Sequence, residues 1–302
     1  MKNKKLILTL LIIVFILTGF LVYTNFCPQE LKIGHLTDIH IWAEKDDNGQ
    51  PTNPERLLYD AINQINNIKN FNFTIITGDV ADTPNVELFS HVVSIFNNLK
   101  KPWYFALGNH DRNLGIQIPR EPLLEVLKEK NHNGMPHTRY YSFQPKKGYT
   151  FIALDGSDYG IDDEQIAYLS AVLDLTPKDV IVIFLHTPLV PPVDSMFSHA
   201  AWNADKVVSV LKAHSQPIMV LAGHYHATKI IQDGNILYVA SPSLRYAQEF
   251  RIIDIKNYKN KVVFDFDYKE TTIKELISNP KERFSGEKSD EIVTITMEKQ
   301  NK

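Results

Sequence analysis

Residues 73–82 read FTIITGDVAD, a β-branched and aromatic run that ends in Gly78 and two carboxylates, Asp79 and Asp82. Residues of this apolar kind are typical of a buried strand, and Gly and Asp are typical of the turn that ends a strand. By itself the stretch therefore predicts only a strand and a turn. It gains meaning from similar stretches elsewhere in the chain.

Four other strand-like runs, residues 31–36, 103–107, 180–185 and 218–222, are also followed by polar segments. These segments are Asp38-Ile39-His40, Gly108-Asn109-His110-Asp111, His186-Thr187-Pro188 and Gly223-His224-Tyr225-His226. In open α/β sheets, sites form at the carboxyl ends of strands, so we expect these side chains to lie together. Carboxylates, an amide and imidazoles in this mixture suit two neighbouring divalent metals, with one imidazole left for proton transfer.

Each segment alone has an ordinary explanation. Asp-x-His is typical of a turn carboxylate beside a surface histidine, and Gly-His-x-His places two rings on one face of an extended segment, as mere exposure would also allow. A turn explains Gly108 and Asn109 but not the titratable His110 and Asp111 that follow. The occurrence of all five segments in one chain is what favours a metal site.

The five segments, in this order, resemble those of the calcineurin-like metallophosphoesterase superfamily over about residues 31–270. The chain is most similar to the bacterial branch that includes the class III cyclic-nucleotide phosphodiesterases. The similarity to this branch lies in Tyr141-Ser142-Phe143, the run from Phe151 to Asp155, and Ser241-Pro242-Ser243 ahead of Phe250-Arg251. Thr187 departs from the His-His-Pro of many cyclic-nucleotide enzymes, which leaves the substrate subgroup open.

The resemblance implies a role for each polar residue. The first metal would be held by Asp38, His40, Asp79 and His226. The second would be held by Asp79, Asn109, His186 and His224, with Asp79 bridging. A metal-activated hydroxide would attack phosphorus, His110 would protonate the leaving oxygen as general acid, and Asp111 would hold the His110 ring.

Other residues are candidates for support or substrate contact. Asp82 stands where purple acid phosphatases have a metal-binding tyrosine, and we expect it to support a ligand from behind. Arg112, Arg139 and His199 are candidate substrate contacts. Nitrogen and oxygen ligands without thiolates suit Mn, Fe, Zn or Co better than Ca, so we expect two divalent ions, with Mn, Fe or Zn as the first choices.

The order of predicted elements indicates an α/β fold. Helical periodicity over residues 54–68, 86–99, 164–173 and 204–213 alternates with the strands. Residues 140–155, 229–240 and 251–268 instead read as hairpins. We predict a four-layer sandwich of two mixed β-sheets flanked by helices, which is also the fold that the resemblance implies.

The amino terminus predicts export. Residues 1–5 carry three lysines, and residues 6–23 are uncharged and apolar, long enough to meet the roughly 17-residue minimum for a transmembrane helix. The lysines favour a cytoplasmic start with the remainder outside. We therefore predict a retained signal-anchor that holds the protein in the membrane with its catalytic domain in the cell envelope. A cleaved signal, which would give a secreted protein, and a buried core helix are the alternatives.

The remaining sequence features limit the number of domains, the disulfide content and the kind of partner. The 302-residue chain shows no linker within residues 31–270, so one domain is expected there, followed by a charged extension, residues 271–302, that is either loosely attached or adds an edge strand at residues 292–297. Cys27 is the only cysteine, which excludes internal disulfides. A net charge of -3 weighs against a nucleic-acid duplex as partner.

Three functions fit these observations. The first is a phosphodiesterase acting on a small phosphoester, such as an exported nucleotide or a lipid-head-group ester. The second is a phosphomonoesterase or pyrophosphohydrolase that uses the same metals. The third is a non-catalytic envelope sensor with a metal site, against which His110 and Asp111 count because a structural site needs no proton donor.

Overall fold

The computed structural model describes residues 28–42, 54–131, 138–193, 200–275 and 291–297. Its strands, in chain order, are β1 Gln29–Leu36, β2 Phe73–Ile76, β3 Trp103–Phe105, β4 Asn113–Leu114, β5 Ile116–Gln117, β6 Tyr141–Lys146, β7 Tyr149–Ala153, β8 Val180–Phe184, β9 Ile218–Ala222, β10 Lys229–Asp233, β11 Ile236–Ala240, β12 Glu249–Asn257, β13 Lys261–Glu270 and β14 Glu291–Thr296. Its α-helices are α1 Pro54–Asn66, α2 Val86–Ile95, α3 Asn109–Arg112, α4 Arg120–Lys130, α5 Asp163–Leu175 and α6 Ala204–Lys212.

Two six-stranded mixed sheets form the centre of the molecule. The first has the order β14-β13-β12-β1-β2-β3 and the second the order β10-β11-β9-β8-β7-β6. In the first sheet β1, β2 and β3 are parallel. In the second sheet β11, β9, β8 and β7 are parallel. Except for β3, which forms an edge of the first sheet, the parallel strands lie inside their sheets, where both faces are covered.

The core follows the two-residue period of the strands. In β7, Phe151 joins the larger hydrophobic core, which contains side chains of both sheets, whereas Ile152 joins a second core. The second core includes Leu169 of α5 and Val207 of α6. Leu57 of α1 and Phe89 of α2 belong to the larger core. Helices thus flank both sheets, as the periodicity predicts.

The element boundaries differ from the predictions mainly at helix ends. The helix predicted over residues 86–99 is α2 followed by a short 3-10 segment, Phe96–Asn98. Asn85 caps α2 by accepting a hydrogen bond from the Leu88 amide at 2.9 Å. The hairpins β6-β7, β10-β11 and β12-β13 form where predicted.

Residues 291–296 add an edge strand, which is the second of the two alternatives predicted for the carboxyl-terminal extension. As β14 they pair antiparallel with β13 and form an edge of the first sheet. Val293 and Ile295 are buried there. The predicted anchor, residues 6–23, lies outside the described residues; within the described parts of the chain, no helix is both long and apolar enough to cross a bilayer.

Candidate metal centre

Loops after β1, β2 and β3 of the first sheet, and after β8 and β9 of the second, carry the candidate site. The parallel arrangement within each sheet brings the carboxyl ends of these strands to one edge of the sandwich. Seven of the predicted residues fall into three overlapping groups whose ligand atoms lie within 4.8 Å of one another: Asp38, His40 and His226; His40, Asp79 and His110; and Asp79, His186 and His224.

The first group consists of Asp38, His40 and His226. The Nε2 atoms of His40 and His226 are 3.2 Å apart. Asp38 Oδ1 lies 3.3 Å from His226 Nε2 and 3.8 Å from His40 Nε2. Two ring nitrogens and a carboxylate oxygen that face a common point are the donor set of a transition-metal site.

The second group consists of Asp79, His186 and His224, with Asn109 beside it. His186 Nε2 lies 3.0 Å from Asp79 Oδ2. Among the described residues, the buried Asn109 Oδ1 has no hydrogen-bond partner. A buried lone pair without a partner is costly unless something else satisfies it, and a cation would do so here.

Asp79 connects the two groups. Its Oδ2 is 3.0 Å from His186 Nε2 in one group and 3.9 Å from His40 Nε2 in the other. Its Oδ1 accepts a hydrogen bond from the His110 amide at 2.8 Å. A single carboxylate in this position can hold two cations about 4 Å apart.

The backbone at the site is strained. Five of the predicted ligands have positive φ angles, namely Asp38 at 53°, His40 at 45°, Asp79 at 51°, His224 at 70° and His226 at 51°. Residues other than Gly rarely adopt this region, which costs of order 1–3 kcal/mol each, and such residues cluster at functional sites. The strain indicates that the placement of the side chains, and not merely the connection of two strands, determines the conformation of these loops.

Two glycines allow the loops after β2 and β3 to touch. A Cβ atom on Gly108 would lie 2.1 Å from Asp79 Oδ1, and one on Gly78 would lie 2.2 Å from the Gly108 nitrogen. Gly78 also has a φ of 74°. Glycine is needed at both positions because any side chain would push Asp79 away from the histidines.

Neighbouring groups orient the ligand side chains. Nδ1 of His186 lies 2.7 Å from the Thr77 carbonyl, and Nδ1 of His40 lies 3.0 Å from Asp82 Oδ1. The Thr77 carbonyl and the Asp82 carboxylate are both hydrogen-bond acceptors. The proton of each ring therefore sits on Nδ1, which leaves Nε2 free to bind a cation. Asp82 therefore supports His40 from behind, in the position predicted for it.

Asp38 is oriented in the same way. The Thr37 hydroxyl donates to its Oδ2 at 2.8 Å, and the His224 amide lies 3.0 Å from its Oδ1. These donors come from both sheets. The Asp38 carboxylate is thereby held in place before any ligand binds.

The histidine pKa values follow from burial among carboxylates. Burial lowers the pKa of His40, but its contacts with Asp38 and Asp82 outweigh burial and raise it to about 10. The pKa of His186 is likewise lowered by burial and raised by Asp79, to about 9. Burial and the nearby His186 lower the pKa of His224 to about 3. In the absence of a cation, protons on His40 and His186 balance the carboxylates, and a cation would replace them.

Asp111 does not contact the His110 ring, so the role expected for it is wrong. Its carboxylate accepts hydrogen bonds from the backbone amides of Asp79, Val80, Ala81 and Gly108 at 2.9–3.1 Å. Burial and the charge of Asp79 raise the pKa of Asp111 to about 7, against the effect of the amide donors. Asp111 thus joins the loops after β2 and β3. Four converging amide donors stabilise its buried carboxylate better than a single imidazole would.

The His110 ring is instead held by the neighbouring loop. Its Nδ1 lies 2.7 Å from the backbone carbonyl of Asp82, and its ring packs edge-on against His40 at 4.6 Å between centroids. A carbonyl only accepts, so Nδ1 carries a proton and Nε2 is the nitrogen that can give one up. The side chain is 25% exposed, unlike the buried His40 beside it.

The two arginines predicted as substrate contacts both pair with carboxylates of the chain. Arg112 is buried and pairs with Asp158. Arg139 pairs with Asp162 and Glu164 at the start of α5. His199 lies outside the described residues. Both arginines therefore serve the packing of loops and helices in this structure.

Three residues around the site were not predicted as part of it. The Tyr246 ring stacks on His226 at 4.9 Å between centroids. The Tyr159 hydroxyl accepts a hydrogen bond from Asn109 Nδ2 at 3.1 Å. His35 is buried between the hydroxyls of Ser241 and Thr77, and burial together with Arg251 lowers its pKa to about 3. None of them belongs to a local motif that sequence reasoning could have used.

Comparison with known proteins gives consistent results. The model of the calcineurin-like phosphoesterase family matches residues 31–228. A probable cyclic nucleotide phosphodiesterase of Xenorhabdus bovienii is 24% identical over 224 residues, covering 72% of this chain and 87% of the relative. A probable glycerophosphodiester phosphodiesterase of Arcobacter nitrofigilis is 24% identical over 229 residues, covering 72% and 80%.

Among solved structures, the chain is similar to a purple acid phosphatase from yellow lupin seeds. The TM-score is 0.59 at 10% sequence identity, covering 89% of this chain and 54% of the plant enzyme. At this identity the likeness concerns the fold alone. It agrees with the two mixed sheets flanked by helices described above.

Proposed function

The chain belongs to the calcineurin-like phosphoesterase family and is a metal-dependent hydrolase of phosphoric esters, and from this premise we propose that it hydrolyses a small phosphodiester at a dinuclear metal centre. The observation that carries the proposal is that Asp79, a member of the second ligand group, also lies 3.9 Å from His40 of the first group, with His110 beside both residues. The family resemblance predicted from the five sequence segments is confirmed. The phosphodiesterase names of the relatives support a diester as the substrate class.

The donor atoms of the two groups and Asn109 fit two divalent cations. One would be held by Asp38, His40, Asp79 and His226, and the other by Asp79, Asn109, His186 and His224. Bound there, two such cations supply Lewis-acid polarisation of the phosphoryl group and a water of lowered pKa as nucleophile. Donors restricted to nitrogen and oxygen suit Mn, Fe or Zn.

His110 is placed to serve as the general acid. Its Nδ1 is bound to the Asp82 carbonyl, so the ring cannot turn away from the site. Its partial exposure leaves Nε2 open to a substrate entering from solvent. A proton delivered from Nε2 to the departing alkoxide would complete the cleavage of the ester.

Activity measurements on substituted proteins test the proposal. The purified full-length chain, loaded with Mn²⁺, should cleave bis(p-nitrophenyl) phosphate faster than p-nitrophenyl phosphate. Asp79→Asn should abolish most of this activity because it removes the shared charge. Lys128→Gln, on the exposed face of α4, serves as the control. Equal rates for Asp79→Asn and the parent protein would contradict the proposal.

The same comparison separates the alternatives. A large preference for the monoester, or cleavage of a pyrophosphate bond alone, would favour a phosphomonoesterase or pyrophosphohydrolase on the same residues. Tight metal binding with no turnover on any phosphoester would favour a sensor. A panel of cyclic nucleotides and glycerophosphodiesters would then identify the diester.

We further propose that residues 6–23 anchor the protein in the membrane with the phosphoesterase domain outside the cytoplasm. The lysines of residues 1–5 and the uncharged run after them support this orientation. β1 runs from Gln29 to Leu36, so Asp38 lies roughly 25 Å along the chain from the start of this strand.

Cell fractionation and protease treatment of intact cells test the location. The protein should sediment with membranes, and external protease acting on spheroplasts should degrade the domain. Deletion of residues 1–27 should release an active protein into the soluble fraction. Protection of the domain from external protease would contradict the proposed location.

A further inference from the structure

Tyr159 contacts Asn109 and His224, two of the predicted ligands of the second metal. The Tyr159 hydroxyl oxygen is 3.1 Å from Asn109 Nδ2, and the Tyr159 ring meets the His224 ring edge-on at 5.9 Å between centroids. The same hydroxyl is 3.3 Å from the backbone carbonyl of Asn113. The phenol thus joins the loop after β7 to the loop after β3.

The direction of these hydrogen bonds is determined by chemistry. A backbone carbonyl can only accept, so the phenol proton points to Asn113, and the phenol oxygen is left to accept from Asn109. The Asn109 amide must then present its N–H groups to Tyr159 and its oxygen to the opposite side. That oxygen is buried and has no hydrogen-bond partner among the described residues.

The backbone of Tyr159 is held in a conformation that a tyrosine does not adopt without support. Its φ angle is 62°. Its amide donates to the Gly156 carbonyl and its carbonyl accepts from the Trp202 amide, both at 2.9 Å. Asp158, just before it, pairs with Arg112 and Arg120. The strain indicates that the loop is constrained so that the phenol reaches Asn109.

We propose that Tyr159 is a positioning residue that keeps the Asn109 amide oriented with Oδ1 toward the second metal. The inference rests on the proposed function, because it assumes a cation at Asp79, Asn109, His186 and His224. Loss of the phenol oxygen removes the acceptor that holds the nitrogen end of the Asn109 amide at this contact. The amide then rotates or turns its nitrogen to the cation, and the second metal binds more weakly than the first.

Metal binding to the full-length protein tests this assignment. We expect the metal-free parent protein to bind two Mn²⁺ ions in a calorimetric titration and to give the electron-paramagnetic signal of a coupled pair. In Tyr159→Phe we expect the first ion to bind as before and the second to bind about 10- to 100-fold more weakly, the range usual for partners of metal ligands. At two equivalents the signal should then be that of isolated Mn²⁺.

Tyr168→Phe is the matched control. It removes a phenol oxygen that donates to Ser142 Oγ at 2.8 Å, away from the metal centre. A second pair of variants separates amide orientation from general damage to the loop. Asn109→Asp offers an oxygen in either rotamer, so adding Tyr159→Phe to it should cause no further loss of affinity for the second ion.

The outcomes distinguish the inference from the function on which it rests. If the parent protein binds only one ion, the dinuclear function fails. If the parent protein binds two ions and Tyr159→Phe binds both equally well, only the role of Tyr159 is overturned. The role of Tyr159 is also overturned if Tyr159→Phe weakens binding of the second ion as much in the Asn109→Asp protein as in the parent protein. The Asn109→Asp side chain has no amide, so amide orientation could not cause that loss.

Discussion

At the scale of single residues, the chemistry of the centre depends on which nitrogen of each histidine is free. His40 and His186 direct Nδ1 to oxygen atoms behind them and Nε2 to the centre of the site. His110 does the same, with its Nδ1 on the Asp82 carbonyl, but its ring is more exposed. The same hydrogen-bonding pattern therefore leaves Nε2 of two buried histidines free to bind a cation and leaves one partly exposed histidine that a substrate could reach.

His110→Gln should slow the enzyme by an amount that depends on the leaving group. General acid catalysis contributes roughly 10²- to 10⁴-fold, and it matters most when the departing oxygen is strongly basic. We expect a loss in this range for an alkoxide leaving group and a much smaller loss for p-nitrophenolate. Steady-state rates on a series of diesters with different leaving groups would show this.

The exposed His91→Gln, on α2, is the control for this comparison. The exposed His91 side chain pairs with Glu55 of α1 and is not one of the candidate ligands. Its substitution should leave all rates unchanged. A loss for His110→Gln that is the same for every leaving group would show that His110 does not act as the acid.

At the scale of elements, the loop after β7 is tied to the loop after β3 by ion pairs. Asp158 pairs with the buried Arg112 and with Arg120, and Arg120 also pairs with Asp155. Burial raises the pKa of Asp158, but the two arginines outweigh burial and lower it. These pairs hold the loop that carries Tyr159, so their effect extends to the metal centre.

Asp158→Asn should destabilise the protein in a pH-dependent way. Leaving Arg112 without its ionised partner should cost about 1 to 2 kcal/mol of unfolding free energy at pH 7. Because the pKa of Asp158 is lower in the folded state, its contribution is complete above its unfolded value and is lost as the pH falls through the folded value. Urea unfolding of parent and variant at a series of pH values measures the difference.

The difference should shrink as the pH drops below about 4, where the carboxylate of the unfolded chain becomes protonated. Asp163→Asn, on the exposed start of α5, is the control because its partner Lys206 is also exposed. That variant should change stability little at any pH. A constant difference for Asp158→Asn across the whole range would contradict the ion-pair explanation.

The edge strand β14 gives a second prediction at this scale. Removing residues 291–302 should expose the backbone groups of β13 that now pair with β14, and an unpaired edge strand promotes association. We expect the truncated protein to elute as larger species in size-exclusion chromatography with light scattering. Truncation of residues 298–302 alone is the control and should leave the elution unchanged.

At the scale of the whole molecule, the centre lies where the two sheets meet. The first sheet supplies Asp38, His40, Asp79, Asn109 and His110 through its loops, and the second sheet supplies His186, His224 and His226. Any cation bound by both sets therefore connects the two halves of the sandwich. Metal binding should stabilise the tertiary structure as a whole.

Removal of metal should accordingly lower the melting temperature. At a free metal concentration 100 times the dissociation constant, binding contributes about 2.7 kcal/mol, which corresponds to roughly 5 to 10 °C for a domain of this size. Differential scanning calorimetry with Mn²⁺ and with a chelator measures the change. Asp79→Asn should melt at the same temperature in both conditions, whereas a chelator effect of equal size in that variant would point to metal bound elsewhere.

Much of the architecture follows from local patterns in the chain. Apolar runs such as residues 73–77 predict strands, the spacing of Leu57, Ala61 and Ile65 predicts a helix, and Gly-Asp pairs predict the turns between them. The five polar segments identify candidate donor atoms because only a few side-chain types can bind a cation. These conclusions need no knowledge of long-range contacts.

Other features were decided by the tertiary structure alone. Asp111 binds four amides instead of the His110 ring, Tyr159 reaches Asn109 from 50 residues away, and β14 adds to a sheet edge rather than hanging free. Tyrosines, histidines and single carboxylates occur throughout the chain, and nothing local separates a residue that supports the site from one that packs elsewhere. Hydrogen bonding between distant loops depends on how two sheets dock, and that docking is a property of the packed core rather than of any one segment.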